Sequence, residues 1–264
     1  MTFQLSEPKL EGLAIRVQDL EAMIAFYQKL PGFYKLTEEN NLAYFGGAKE
    51  GDAFLILEDT PFGAQEAGGV KKLARFSLSV PDLTQLKYVK NHLSKQGVKI
   101  LQEEWSVGQG AFTIADPEEN YLTFFVDHRL PADDLHPAAV QFQLQQIHLN
   151  VADEKASQTF FEHLGLVAKA EEEKFFQLDK REWIGFHQYP VQWHCGKNRD
   201  LEVLGLDFLN FSLPSQEELV KLSEHLQQLK IDFYRDKKLS ILTIFDPNGV
   251  EWWFTSRHHE GTRV

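Results

Sequence analysis

The chain has 264 residues, of which 43% are hydrophobic and 12% aromatic, enough to fill the core of one or two globular domains. Its net charge of −12 argues against nucleic acid or an anionic membrane as the main partner, because phosphates are bound by Lys and Arg. The single cysteine, Cys195, excludes an intrachain disulfide. With no basic, apolar leader and no stretch of ~20 apolar residues, we expect a soluble, cytoplasmic protein.

The first half of the chain is predicted to contain two strand–helix–strand units. In the first, Asp19 is typical of a helix N-cap, and Pro31-Gly32 ends that helix near residue 30. Pro81-Asp82 begins a second helix, which Gly97 ends. Alternating apolar residues and turn signals predict strands at 33–37, 42–45, 53–58, 75–80, 98–103, 111–115 and 121–126.

The second half repeats this plan. The stretch GLAIRVQDLEAMIAFYQKLPGF at 12–33 returns as QIHLNVADEKASQTFFEHLGL at 146–166. The helix start at 213–215 matches the one at 80–82 with an offset of 133 residues, and Asp246-Pro247 matches Asp116-Pro117. The segment 129–140 lacks periodicity and is predicted to be a linker. We therefore predict an α+β protein with four βαβββ units, paired into domains at 1–128 and 141–264.

These motifs carry a family resemblance. A strand ending in Val-x-Asp, a helix ending in Phe-Tyr and an Asp-Pro-x-Gly turn before an apolar strand resemble the vicinal oxygen chelate superfamily of glyoxalases, bleomycin-resistance proteins and extradiol dioxygenases. The resemblance implies paired units whose sheets form cups around a metal site. The two unlike halves and the closing segment more narrowly resemble the CppA family, which carries an old label as a complement-degrading proteinase. The sequence has no His-Glu-x-x-His or Gly-x-Ser-x-Gly motif that would support that label.

Strand alternation predicts which side chains face the first cup. The metal position that the resemblance implies is Gly12, and the equivalent positions of the second unit are Arg75 and Thr123. None of these is a usual metal ligand, so we expect a metal-free cavity. Its predicted polar lining is Arg16, Arg75, Ser77, Ser79, Tyr121 and Thr123. The two arginines would suit a carboxylate or phosphate, unless they pair with acidic neighbours or extend to the rim.

In the second cup, Gln146 occupies the metal position that the resemblance implies, and glutamine is a ligand there in some glyoxalases. His148 and Asn150 share its face. The opposite wall is predicted to consist of Phe208, Asn210, Ser212, Glu251, Trp253 and Thr255. Because Phe208 and Trp253 stand where ligands are expected, a polar, partly aromatic pocket without metal is favoured.

Two other uses of the second cup stay open. His148, His187 and Glu251 would form an unorthodox metal site. His148 would otherwise be a general base paired with Glu251. The resulting prediction is a protein of CppA type with a degenerate metal centre that binds a small polar or aromatic ligand. The alternatives are a metal-dependent lyase or ring-cleaving dioxygenase, the proteinase of the family label, and a purely structural protein whose cavities are filled by its own side chains.

Overall fold

The structure, a computed structural model, describes residues 3–66, 69–131, 140–169, 172–178, 182–188 and 202–257. The helices are α1 (Leu20–Tyr27), α2 (Leu83–Lys95), α3 (Glu154–His163) and α4 (Gln216–Gln228). The strands of the first half are β1 (Lys9–Val17), β2 (Tyr34–Glu39), β3 (Leu42–Gly46), β4 (Ala53–Asp59), β5 (Leu73–Val80), β6 (Gln102–Ser106), β7 (Gln109–Ala115) and β8 (Tyr121–Val126). Those of the second half are β9 (Gln143–Val151), β10 (Val167–Lys169), β11 (Glu172–Gln177), β12 (Trp183–Gln188), β13 (Gly205–Leu213), β14 (Tyr234–Arg235), β15 (Ile241–Phe245) and β16 (Glu251–Ser256). One strand precedes each helix and three follow it, which confirms the α+β chain of four βαβββ units.

The strands form two eight-stranded sheets, and each sheet contains one unit from each half of the chain. Sheet one has the order β14-β15-β16-β13-β1-β4-β3-β2 and joins the first and fourth units. Sheet two has the order β10-β11-β12-β9-β5-β8-β7-β6 and joins the second and third units. The expectation that units consecutive in the chain share a cup is therefore wrong. The bounds 1–128, 129–140 and 141–264 stay a prediction, and residues 132–139 of the linker lie outside the described residues.

The first strands of the paired units meet at the centre of each sheet. In sheet one β1 runs antiparallel to β13, with Gly12 opposite Asn210, and in sheet two β5 runs antiparallel to β9, with Ser77 opposite Gln146. A bulge interrupts the β1–β13 register, because Ala14 pairs with Phe208 while the next residue pairs with Leu206. This bulge leaves Asp207 as the extra residue between them and changes the direction of its side chain.

Side chains just before each helix accept hydrogen bonds from the amides of the first turn. Asp19, Asp82, Asp153 and Ser215 do so in α1 to α4, so the predicted helix starts are confirmed. The strand predicted at 98–103 begins only at residue 102. The amide of Val98 instead donates to the carbonyl of residue 93 at 3.0 Å and so closes the end of α2.

One face of each sheet is covered by helices and forms the core. Leu13, Ile15 and Val17 of β1 are at most 1% exposed, which agrees with their predicted place beneath the helix. The largest buried side chain, Trp252 of β16, is fully buried on the same face of sheet one and stacks on Phe211 at 5.0 Å. The opposite face of each sheet carries the polar side chains that were predicted to line the cups.

The Asp-Pro turns join the two sheets. Asp116, in the turn between β7 and β8, accepts a hydrogen bond of 2.9 Å from the hydroxyl of Tyr27 in α1. In the second half, the side-chain oxygen of Asn248 accepts from the amide of Ala152 at 3.0 Å, just before α3. Each half is therefore held together by turn-to-helix contacts, while the sheets are formed between the halves.

Candidate functional site

The sheet pairing redistributes the residues predicted to line the cups. Arg16 lies in sheet one and Arg75 in sheet two, so the two arginines do not share a cup. Gln146 and His148 lie opposite Ser77 and Arg75 on β5. The predicted opposite wall lies in sheet one instead, and it consists of Phe208, Asn210, Ser212, Glu251, Trp253 and Thr255.

In the cup of sheet one, Arg16 is held by two carboxylates. Its Nε donates to Glu58 at 3.1 Å, and its Nη2 lies 2.8 Å from Oδ1 of Asp207. Burial raises the pKa of Asp207 to about 7; Arg16 opposes this rise, while Glu58 and Glu251 add to it. Arg16 is therefore paired with acidic neighbours, which was one of the two alternatives for the arginines. Its cup contains more acidic than basic side chains.

Aromatic rings occupy the next part of the sheet-one cup. Phe208 and Trp253 stack with their ring centroids 4.5 Å apart and their planes at 14°. Asn210 pairs directly with Trp253 across β13 and β16, and within the described residues nothing donates to its buried side-chain oxygen. Protein side chains thus fill much of this cup.

The metal positions that the fold family implies do not fit a cation in sheet one. A Cβ on Gly12 would lie 2.7 Å from the carbonyl oxygen of Phe54, so the backbone leaves no room for a ligand side chain there. Phe208 and Trp253 occupy the other two positions at which metal ligands were expected in this sheet, and their side chains offer no donor atom to a metal. Across the part of the chain that the structure describes, no three His, Cys, Asp or Glu side chains are grouped in a way that could hold a metal ion.

The alternative metal set is divided between the sheets. His148 in β9 and His187 in β12 belong to sheet two, whereas Glu251 in β16 belongs to sheet one. The strands that carry the two histidines are neighbours, but the side chain of His187 lies outside the described residues. Glu251 lies near Asp207 in sheet one, whereas His148 lies in sheet two, and the His148–Glu251 acid–base pair stays a prediction.

The cup of sheet two contains a guanidinium with a different environment. Arg75 is half-buried, and burial lowers its pKa. Among the described residues no carboxylate pairs with Arg75, whereas two carboxylates pair with Arg16. His148 lies opposite Arg75 and is 2% exposed, and its other neighbour across the sheet is Gly185, which has no side chain. Arg75 is therefore a half-buried positive charge without a carboxylate partner among the described residues.

Uncharged polar side chains line the next part of this cup along the strands. Ser77, which is 2% exposed, lies between Gln146 on β9 and Thr123 on β8. The hydroxyls of Thr123 and Thr113 are 2.9 Å apart. Asn150, also predicted to bind ligand, donates to the carbonyl of residue 71 at 2.8 Å, so its amide group holds the start of β5.

Sequence reasoning missed Glu58 and Asp207. Simple alternation places Asp207 on the face opposite Phe208, and only the bulge brings its carboxylate to Arg16. Glu58 lies opposite Arg16 in the parallel β1–β4 pair. That pairing could have been inferred from the repeated unit, since its first and last strands are adjacent.

A separate cleft of about 830 Å³ lies at the start of α1. Its acidic lining residues are Asp19, Glu21, Glu38, Glu39, Asp59 and Glu118. None of its lining residues in the described part of the chain is basic, so an anionic ligand would be repelled there.

The paired units, central antiparallel strands and helix-backed cups define the vicinal oxygen chelate fold. The chain matches the CppA N-terminal model over residues 12–134 and the CppA C-terminal model over residues 140–254. It belongs to the CppA family, as the resemblance predicted. No curated protein matches the sequence.

Solved structures share this fold at low sequence identity. The CppA protein of Streptococcus pneumoniae TIGR4 has a TM-score of 0.65 and 18% identity, with 96% of this chain and 98% of that chain covered. A putative dioxygenase from Bacillus subtilis has a TM-score of 0.71 and 11% identity, with 96% and 86% covered. A glyoxalase I mutant from Zea mays has a TM-score of 0.62 and 14% identity, with 95% and 94% covered. At these identities the similarity concerns the fold alone.

Proposed function

We propose that this CppA-family protein binds a small anionic molecule in the cup of sheet two, without a metal ion. The observation that carries the proposal is Arg75, a half-buried guanidinium with no carboxylate partner among the described residues. A buried charge is costly unless it is compensated, and a guanidinium binds carboxylates and phosphates through two parallel hydrogen bonds. A ligand anion would supply that compensation.

The other predicted binding residues divide into two groups. Gln146 and His148 lie on the same face as Arg75 and would contact the ligand beside it. Arg16, Asn210 and Trp253 belong to sheet one, where ion pairing and ring stacking support a structural role.

The test is thermal unfolding with small carboxylates and phosphates. A ligand at 100 times its Kd adds about 2.7 kcal/mol of stability, which raises the Tm of a chain this long by about 5 to 8 °C. Arg75→Gln should abolish the rise, and Arg75→Lys should retain part of it, because an ammonium keeps the charge but lacks the planar fork. Arg16→Gln is the matched control, in which the basal Tm changes while the rise persists. An equal rise in wild type and Arg75→Gln would refute the proposal.

A metal-dependent lyase or ring-cleaving dioxygenase is the enzyme alternative. Gln146 and His148 favour it, because they are neighbouring potential donors on one strand of the same cup. Elemental analysis of freshly purified protein decides between the two proposals. Stoichiometric iron, manganese, nickel or zinc that is lost in His148→Ala would support the enzyme and contradict the metal-free cup.

The predictions about binding partners and cellular location are kept as proposals. We propose a small-molecule ligand, and neither nucleic acid nor membrane as partner, on the basis of the net charge of −12. We also propose a cytoplasmic location, because a single cysteine is typical of a reducing compartment. Within the described residues, no helix has both the length and the apolar character needed to cross a membrane. The proteinase alternative gains no support from known protease motifs. Incubation of the purified chain with complement proteins tests this alternative, and reproducible cleavage of those proteins would establish it.

A further inference from the structure

We propose that the free edge of β6 is an interface at which a second copy of this chain adds its own β6, so that sheet two continues from one chain into the other. The proposal is independent of the ligand site in sheet two. It rests on the geometry of this edge, the side chains exposed along it and the local charge.

The four sheet edges differ in their protection against a further strand. β14 has only two residues, β10 has three residues and a register shift, and β2 has a register shift beside Lys35. Short strands, bulges and charges of this kind hinder pairing with another chain. β6 has five residues, its register with β7 is unbroken, and every one of its residues is exposed. Among the described edges, β6 is therefore the regular one that another strand could extend.

The backbone of β6 has hydrogen-bonding groups that β7 does not use. Residues 107 and 108 form a two-residue turn, so residues 106 and 109 are a hydrogen-bonded pair. Such pairs alternate along an antiparallel ladder, so the amides and carbonyls of Glu103 and Trp105 point to the free edge. A two-fold arrangement with Glu103 opposite Trp105 of the second copy would satisfy these groups on both chains.

Trp105 is the side chain at the centre of this edge. It is 38% exposed, yet its Nε1 donates to Glu103 at 2.8 Å and the ammonium of Lys90 lies 5.3 Å from its ring centroid. A Cβ on Gly110, its partner on β7, would lie 2.6 Å from the indole, so the ring packs directly over that glycine. An indole that is already held in place loses little entropy on burial, and Trp is enriched among residues that dominate interface energies.

Exposed apolar side chains flank both ends of β6. Leu101 is 44% exposed and Val107 is fully exposed. The two-fold register that satisfies the backbone also brings Leu101 of one chain close to Val107 of the other. Association would remove both from water, which favours the dimer.

The local charge favours another copy of the chain as the partner. Residues 83–107, which include α2 and β6, contain four Lys and two Glu, whereas the whole chain has a net charge of −12. Two acidic molecules repel each other least where their surfaces are not negative. One pair in the register is unfavourable, because Glu104 would lie opposite Glu104 of the second copy on the face away from Trp105. Glu104 therefore limits the affinity of the dimer and provides a test of the register.

Sedimentation velocity over a range of protein concentrations at pH 7 measures the association. Wild type should show a reversible monomer–dimer equilibrium. Glu104→Gln should tighten it by about two- to fivefold, because it removes one like-charge pair across the strands. A mixture of wild type and Glu104→Lys should form a heterodimer that is tighter than the wild-type dimer, since Glu and Lys would then lie opposite each other.

A backbone variant tests the edge itself. Glu103→Pro should abolish the dimer, because proline removes an amide that only the second copy would use. Glu103→Ala is the matched control, since it loses the same side chain but keeps the amide, and it should still dimerise. Equal unfolding temperatures of these two variants show that the proline leaves the fold intact, and the Glu104 variants test the register without any change in the backbone.

Three results would overturn the proposal. A wild-type chain that stays monomeric at every concentration would show that a second copy does not occupy this edge. A dimer that persists in Glu103→Pro would use another surface, and a dimer that Glu104→Gln does not tighten would contradict the two-fold register. Assemblies that keep growing with concentration would also contradict it, because a two-fold contact closes with two chains.

Discussion

Asp207 is predicted to make the protein more stable in mild acid than in mild alkali. Its pKa is about 7 in the folded chain because of burial and the neighbouring carboxylates, against 3.8 for an ordinary aspartate. A group whose pKa is raised by folding stabilises the folded state below its unfolded pKa, and that contribution is lost as the pH rises through the folded pKa. The window is therefore pH 4 to 7.

The magnitude follows from the size of the shift. Each pKa unit corresponds to ~1.36 kcal/mol, so between pH 5 and pH 8 the full shift would remove about 2.6 kcal/mol of unfolding free energy. Because Asp207 interacts electrostatically with Arg16, Glu58 and Glu251, we expect an observed change of about 1 to 3 kcal/mol.

Urea unfolding of wild type and Asp207→Asn at pH 5, 6, 7 and 8 measures this effect. The variant cannot ionise at this position, so its stability should fall less with rising pH than that of wild type. Asp232→Asn, at an exposed position after α4, controls for the loss of one carboxylate. Parallel stability profiles for wild type and Asp207→Asn would refute the reasoning, because they would mean that Asp207 ionises equally in the folded and unfolded chains.

Three further predictions concern packing and the joint between the sheets. Gly12→Ala should lower the unfolding free energy measured by urea titration by about 1 to 3 kcal/mol, because its new methyl group would lie 2.7 Å from a carbonyl oxygen. Gly47→Ala is the control and should be close to neutral, because the atom nearest to its new methyl group would lie at 3.8 Å. Trp252→Ala should cost about 3 to 5 kcal/mol and Trp253→Ala distinctly less, since only the first is fully buried, and equal losses in thermal unfolding would contradict this assignment. Tyr27→Phe should cost about 1.5 to 3 kcal/mol by removing a buried hydrogen bond to a carboxylate, and calorimetry showing no loss would mean that this bond does not hold α1 to the neighbouring turn.

The local features of the fold could be predicted because their causes are local. Asp19, Asp82 and Asp153 reveal helix starts within three residues of sequence, and the repeat reveals the four units. The partner of each unit could not be found in this way. All four units present similar first strands, and the choice between partners depends on contacts made over about 70 to 200 residues, such as the pairing of Lys9 with Ser212.

Which residues share a candidate site depends on which units pair in one sheet. Arg16 and Arg75 have the same residue type on equivalent strands, so the sequence alone assigned them one role. The structure separates them, because sheet one brings Glu58 and Asp207 to the first arginine while the described part of sheet two brings no carboxylate to the second. The bulge that places Asp207 has no sequence signature, so even a correct pairing would have missed that contact.

The exchange of units between the halves has a consequence for synthesis on the ribosome. The central strand of sheet one, β1, is made at the beginning of the chain, but its partner β13 begins only at residue 205. The nascent amino-terminal unit must therefore keep an unpaired strand edge until most of the polypeptide has emerged. For the same reason, a protease cut between residues 131 and 140 would yield two fragments that remain interlocked through both sheets rather than two separable domains.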